Sequence, residues 1–219
     1  MEQHKVILNV TVTIVLITAE FAYSTINPKY SQRGNTTELH DRWLLDRDGN
    51  KYPVKILKDN KLWMTLNLKL NISNSYCYDD ATRNCDQYGR LYTWEAAQKG
   101  CALLGEGWRL PITYDWQQLT ILYAGAAKDS DAMRQGAFQA LLYTGASGFN
   151  ALLGGGRAPD SQYARLDAHG FYWMATENND STAWFANFAK GSQSLYLQKE
   201  GEKSRAFSVQ CVKDIDSSK

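Results

Sequence analysis

Four cysteines place the strongest constraint on how this chain folds. Cys77, Cys85, Cys101 and Cys211 all lie downstream of the first 24 residues. Structural zinc sites pair their cysteines at close spacings such as C-x-x-C, and no such pair occurs here. An even number of cysteines in an exported chain instead predicts two disulfides, for which three pairings are possible.

Residues 1–24 have the three-part layout of a secretory signal peptide. His4 and Lys5 form a short basic start, Val6 to Ala19 is an uncharged apolar run, and small residues precede a cleavage site near Ser24. The run is about 14 residues long, against the roughly 20 that a membrane-spanning helix needs. We therefore predict export, with no membrane span after cleavage.

The rest of the chain divides by composition into three parts. Residues 25–41 are polar and lack periodicity, which predicts a disordered lead-in. Residues 42–214 form one predicted domain, and residues 215–219 form a tail. The chain has 24 Lys and Arg against 23 Asp and Glu. This balance predicts no attraction to nucleic acid or to anionic lipid.

Apolar periodicity within the domain predicts an α+β fold. A three-stranded meander is expected over residues 42–45, 51–57 and 62–68, with a turn at Asp46–Asn50. Residues 69–87 look like a loop. Helices are then predicted near 93–100, at 114–124 and at 131–142. The remaining strands are predicted at 149–153, 171–176, 182–188, 194–198 and 205–212, with a glycine loop at 154–156.

Seven motifs occur in a fixed order: DRDGN at 46–50, LWMTLNL at 62–68, YGRLYTWEAA at 88–97, GWRLP at 107–111, GGGR at 154–157, YWMATE at 172–177 and FSVQCVKD at 207–214. With these motifs the chain resembles the Fibrobacter succinogenes major paralogous domain family. The resemblance implies a C-type-lectin-like fold, distantly similar to the formylglycine-generating-enzyme fold. Such a fold has a mixed twisted sheet, two or three helices and a long irregular loop region. Members look like exported or surface proteins of fermentative bacteria, without a common reaction.

The resemblance also selects one disulfide pairing. In the family pattern the cysteine after the first helix pairs with that of the last strand, here Cys101 and Cys211. Cys77 and Cys85 are then left to close a small loop.

The sequence departs from the family at the start of its second predicted helix. The family usually has Thr-x-x-Glu there, a capping box. Ile112 and Asp115 take these positions, so we expect the cap to be lost or to shift to Thr113.

Two acidic segments are candidates for calcium. Asp46–Asn50 resembles the start of an EF-hand loop, but Leu57 occupies the position of the closing glutamate, so a turn is favoured. Glu177, Asn178, Asn179 and Asp180 follow a predicted strand, where C-type lectins bind calcium and sugars. The alternative is a polar hairpin turn, since the lectin sugar triplets are absent. We predict no metal here, but keep the four residues as candidate ligand-binding residues.

Three further residues are candidates for ligand binding. Arg157 follows the glycines and is able to hold an anion, although pairing with a loop carboxylate is the favoured alternative. Tyr172 and Trp184 are candidate rings for stacking on a sugar, although core packing is the simpler expectation for aromatic residues.

No catalytic or cofactor motif is complete. The sequence GASG at 145–148 lacks the second glycine of a nucleophile elbow, and no phosphate-binding loop is present. We therefore predict a protein without catalytic activity or cofactor. It is expected to be a secreted or cell-surface module that binds a glycan or a protein. The alternative is a structural or assembly component of the bacterial cell envelope.

Overall fold

A computed structural model describes residues 42–125 and 130–215. The predicted signal peptide at 1–24, the predicted lead-in at 25–41 and residues 216–219 of the predicted tail lie outside the described residues. Strands and helices combine in an α+β fold, which confirms the predicted fold class. Across the described residues, no helix has the length and apolarity needed to span a bilayer.

Within these ranges, twelve strands and four α-helices follow one another along the chain. The strands are β1 (Arg42–Leu45), β2 (Lys51–Ile56), β3 (Lys61–Met64), β4 (Ser75–Tyr76), β5 (Leu91–Tyr92), β6 (Trp108–Arg109), β7 (Gly154–Arg157), β8 (Tyr163–Leu166), β9 (His169–Glu177), β10 (Thr182–Ala189), β11 (Ser194–Glu202) and β12 (Val212–Asp214). The helices are α1 (Thr82–Tyr88), α2 (Trp94–Ala102), α3 (Thr113–Tyr123) and α4 (Ser130–Leu141).

The first sheet contains the predicted meander and the last strand. Its order is β1-β2-β3-β12-β6, with antiparallel pairs throughout. The third strand ends at Met64 and not at Leu68 as predicted. Thr65 N–H still donates to the Pro53 carbonyl of β2, but Pro53 has no N–H to return a bond, and Leu68 N–H donates to the Val209 carbonyl, outside β2.

The second sheet has the order β11-β10-β9-β7-β8. Its strand β7 contains the glycines that were predicted to form a loop, so that prediction was wrong. Gly155 has a φ of +63°, and a Cβ there would lie 2.6 Å from the Ala164 carbonyl oxygen. Glycine therefore allows β8 to approach β7 closely.

Two large clusters of buried side chains form the core. The first lies between α2 and both sheets and includes Tyr52, Met64, Cys101 and Trp173. The second cluster joins α3 and α4 to the opposite face of the second sheet. Its largest members are Trp63, Trp116, Phe149, Tyr172 and Phe188.

Both disulfides implied by the family resemblance are present. Cys101 is bonded to Cys211, with their Cα atoms 5.6 Å apart, and Cys77 is bonded to Cys85, with a Cα separation of 4.9 Å. Disulfides persist in oxidising compartments, which indicates a location outside the cytoplasm.

Several predicted element boundaries were wrong because tertiary contacts decide them. The segment 69–87 contains α1, β4 and a 3₁₀ turn at Tyr78–Asp80 instead of a plain loop. Helix α2 continues beyond Gly100 to Ala102. Residues 149–153 and most of 205–212 make isolated bridges, such as Leu142 with Ala151, and not continuous strands.

The cap of α3 is half preserved. The Ile112 backbone N–H donates to Asp115 Oδ2 (2.8 Å), which is the return half of a capping box. The side chain of Ile112 has no acceptor, so the other half is missing. The expected shift of the cap to Thr113 was wrong, because Thr113 is already the first helical residue.

Candidate functional site

A hollow of about 370 Å³ opens on the face of the second sheet opposite α3 and α4. We call it the sheet hollow. It is lined by Gly156, Arg157, Ala158, Gln162, Ala164, Arg165, Phe171, Phe185, Glu200, Gly201, Glu202, Arg205 and Phe207. Three phenylalanines and five charged residues thus meet in one concavity, the combination by which pockets bind small ligands.

Aromatic rings form the apolar part of the sheet hollow. The ring centroid of Phe207 is 5.0 Å from that of Phe171 and 5.1 Å from that of Phe185. Beneath them, Phe207 also packs on the buried ring of Trp173 at 4.5 Å. Phe171 and Phe185 are half-buried, so their inner sides stabilise the first core and their outer sides stay accessible.

The wall of the hollow depends on Gly156. A Cβ on this residue would lie 3.0 Å from the Phe207 ring and 3.2 Å from the Phe171 ring, so glycine lets both rings approach the backbone of β7. The next residue, Arg157, is fixed by a two-way backbone bridge with Ala206: each N–H donates to the other carbonyl, at 3.0 and 2.9 Å. Arg157 and the two phenylalanine rings therefore line the same hollow.

The Arg157 guanidinium lies over aromatic rings. It is 4.0 Å from the ring centre of Tyr76 and 5.8 Å from that of Tyr163. Its Nη2 donates to Ser161 Oγ (2.6 Å). The Tyr163 hydroxyl donates to Asp80 Oδ1 (2.6 Å). Burial and this bond raise the pKa of Tyr163 to about 12, so its hydroxyl stays neutral.

The predicted pairing of Arg157 with a carboxylate is not found. Among the described residues, no Asp or Glu oxygen lies within ion-pair distance of Arg157. In the same hollow, Arg205 Nη2 lies 3.4 Å from Glu202 Oε1, so the opposite charges of these two residues largely cancel. Arg157 thus keeps its charge available to the hollow.

A row of polar side chains continues the same sheet face beside the rings. His169 stacks on Phe171, with centroids 5.3 Å apart, and its Nδ1 donates to Asn187 Oδ1 (2.9 Å). The amide of Asn187 in turn donates to Gln198 Oε1 (2.9 Å). This row offers donors and acceptors that suit hydroxyl groups.

The predicted cluster Glu177–Asp180 forms the hairpin turn between β9 and β10. Asn179 Oδ1 accepts from the N–H groups of Ser181 and Thr182, both at 2.9 Å. Asn178 Nδ2 donates to Thr182 Oγ1 (2.9 Å). Glu177 and the Asp180 carbonyl both accept from Lys203. These bonds are those of a polar hairpin turn, the alternative given for this segment. None of the four residues belongs to the lining of the sheet hollow.

The two candidate rings lie in different surroundings. Tyr172 is 0% exposed, and its hydroxyl bonds to both the N–H and the carbonyl of Leu152 (2.7 and 3.0 Å). Tyr172 therefore has no free face for a sugar and follows the simpler expectation of core packing, on the side of the sheet that α3 covers. Trp184 is half-buried and lines a neighbouring hollow that shares Phe185 and Glu200 with the sheet hollow.

Sequence reasoning missed the three phenylalanines. A signal for one of them was present, because alternation along β10 places Phe185 opposite to Trp184 and Phe188. The structure confirms this, with Phe185 beside the first core and the other two in the second.

A comparison with known protein families identifies the family of this chain. The family model described as the Fibrobacter succinogenes major domain matches residues 35–213. The chain belongs to this family. No curated protein and no solved structure matches it.

Two motifs of the Fibrobacter succinogenes major domain line the sheet hollow in this chain, and a third, YWMATE, directly follows the lining residue Phe171. GGGR contributes Gly156 and Arg157, YWMATE forms most of β9, and FSVQCVKD contributes Phe207. Over residues 42–125 and 130–215, no three His, Cys, Asp or Glu side chains are grouped as a metal site would need.

Proposed function

We propose that this domain is an exported, non-catalytic binding module with a C-type-lectin-like fold, which holds a glycan in the sheet hollow. The observation that carries the proposal is the meeting of Phe171, Phe185 and Phe207 with charged side chains in one concavity. Sugar rings have apolar faces that stack on aromatic rings, while their hydroxyl groups need hydrogen-bonding partners at the rim. The polar row from His169 to Gln198 supplies more such partners.

A glycan array tests the proposal on the disulfide-intact protein. We expect binding to a defined set of glycans, and Phe185→Ala is expected to weaken it several-fold, up to about 10-fold. Trp43→Ala is the matched control, because Trp43 is 58% exposed on β1, outside the hollow lining. An array without a bound glycan, or equal losses in the two variants, would contradict the proposal.

One observation favours the alternative of an envelope assembly component. Trp43 and Leu45 lie on the same side of the edge strand β1, and each is 58% exposed. Exposed apolar side chains on an edge strand favour contact with another protein. Cell fractionation separates the two proposals. Assembly is supported if the protein co-purifies with an envelope complex, if Trp43→Ala abolishes this co-purification, and if no glycan binds.

A further inference from the structure

We infer that the sheet hollow selects acidic sugars, whose carboxylate is bound by the guanidinium group of Arg157. The inference rests on the proposed glycan-binding function and names the class of glycan.

The first argument is that Arg157 has donors to spare. A guanidinium carries five N–H donors, and its planar fork fits the two oxygens of a carboxylate. Only Nη2 has a hydrogen bond within the described residues, to Ser161. The Nε atom is buried without a hydrogen-bond partner. Because the Nε atom is buried, the capacity for a ligand lies with the two Nη groups, whose remaining N–H donors have no partner among the described residues and are able to bind an external carboxylate.

The second argument is that Arg157 is held in place before a ligand arrives. The rings of Tyr76 and Tyr163 lie against its guanidinium, and its backbone is bonded in both directions to Ala206. A side chain that is already ordered loses little conformational entropy on binding. This placement makes Arg157 a specificity-determining residue and not only a solvated surface charge.

The third argument concerns the type of anion. Phe171 and Phe207 pack against Gly156, which directly precedes Arg157. Arg157 lines the same hollow as these two rings, so a ligand that it binds there has rings within reach for an attached sugar. Glu200 and Glu202 lie in the same lining, and two carboxylates repel a dianionic phosphate more strongly than a monoanionic carboxylate. The same carboxylates accept hydrogen bonds from sugar hydroxyl groups.

The test is a glycan array that carries each carboxylated glycan, its methyl ester and a neutral glycan of the same length. Calorimetry then measures the dissociation constants of the glycans that bind. It is carried out with wild type, Arg157→Gln, Arg157→Lys and the exposed control Arg47→Gln. We expect the acid to bind at least about 10-fold more tightly than its ester. Arg157→Gln should remove this preference, Arg157→Lys should keep part of it, and Arg47→Gln should leave it intact.

The outcomes separate this inference from the proposed function. If glycans bind but esters bind as well as acids, or Arg157→Gln keeps the preference, acidic selectivity is overturned while glycan binding stands. If no glycan binds, both are overturned. If Arg157→Gln fails to fold by circular dichroism, the acid-to-ester ratio of the wild type still decides the question.

Discussion

Cys101, on the last turn of α2, is bonded to Cys211, the residue that directly precedes β12. The bond therefore joins α2 to the start of β12, which lies between β3 and β6 in the first sheet. It closes a loop with a sequence separation of 110, whereas Cys77–Cys85 closes one of 8.

The two disulfides are predicted to stabilise the fold unequally. In the chain-entropy model, a bond across a longer loop removes more freedom from the unfolded chain. Replacing Cys101 and Cys211 by serine should cost roughly 4–5 kcal/mol, and replacing Cys77 and Cys85 should cost roughly 2–3 kcal/mol. Urea unfolding measures both, and non-reducing peptide mapping checks the pairing. A peptide linking Cys77 to Cys211 would contradict it.

A buried carboxylate is predicted to make stability depend on pH. Asp115 is completely buried and pairs with Lys61 Nζ (2.5 Å) and Arg109 Nη1 (2.6 Å). Burial alone would raise the pKa of Asp115, but the hydrogen bonds from Arg109, Lys61 and the Ile112 backbone hold it below the ordinary value of 3.8. A carboxyl group with a lowered pKa stabilises the fold above its ordinary pKa and loses this contribution as the pH falls through its folded value.

Asp115→Asn should therefore cost about 3–5 kcal/mol at pH 7, because it removes the buried carboxylate between two cations and leaves them only the exposed Asp214 as a shared partner. The difference in unfolding free energy between this variant and wild type should shrink as the pH falls below the ordinary pKa of an aspartate. Urea unfolding at pH 7 and pH 3 measures this, with the exposed Asp86→Asn as the control. A difference in unfolding free energy that is the same at both pH values would contradict a lowered pKa for Asp115.

Two glycines are predicted to differ in their tolerance of a methyl group. Gly49 and Gly155 both have positive φ, of +82° and +63°. Alanine at Gly49 meets no atom within 4 Å, so its cost should be only the backbone strain of about 1–2 kcal/mol. At Gly155 the methyl would lie 2.6 Å from the Ala164 carbonyl oxygen. Gly155→Ala should thus lower the melting temperature clearly more than Gly49→Ala, and equal shifts would refute close strand packing.

The turn between β9 and β10 is predicted to be stabilised by its own hydrogen bonds and not by calcium. Asn179→Ala removes the acceptor of two backbone N–H groups and should cost about 1 kcal/mol. Asn178→Ala removes one exposed side-chain bond and should cost less. Calcium added to chelator-treated protein should leave the melting temperature unchanged. An increase that Asn179→Ala abolishes would show a metal site after all.

Local periodicity predicted the elements better than it predicted the site. Alternation along β10 correctly separated Phe185 from Trp184, because successive side chains of a strand point to opposite faces. Alternation does not tell which face a helix covers. Tyr172 was for this reason kept as a candidate ring for stacking on a sugar, although α3 packs over its side of the sheet.

The sheet hollow itself depends on pairings between distant segments. The backbone of Arg157 is bonded to Ala206, far along the chain, and this pairing brings Gly156 next to the Phe207 ring. The glycines of β7 were predicted to form a loop because positive φ is their local signal, yet their role is to admit a neighbouring strand. Family resemblance supplied the disulfide pairing, which spacing alone left open among three choices.

The Cys101–Cys211 bond also determines how the domain responds to mechanical tension. A pull on the two ends of the chain is transmitted from residue 101 to residue 211 through two sulfur atoms. The segment between them, which carries the whole lining of the sheet hollow, cannot be stretched by that pull. Only the flanking segments would therefore extend, while the part that we propose binds a glycan stays free of the applied load.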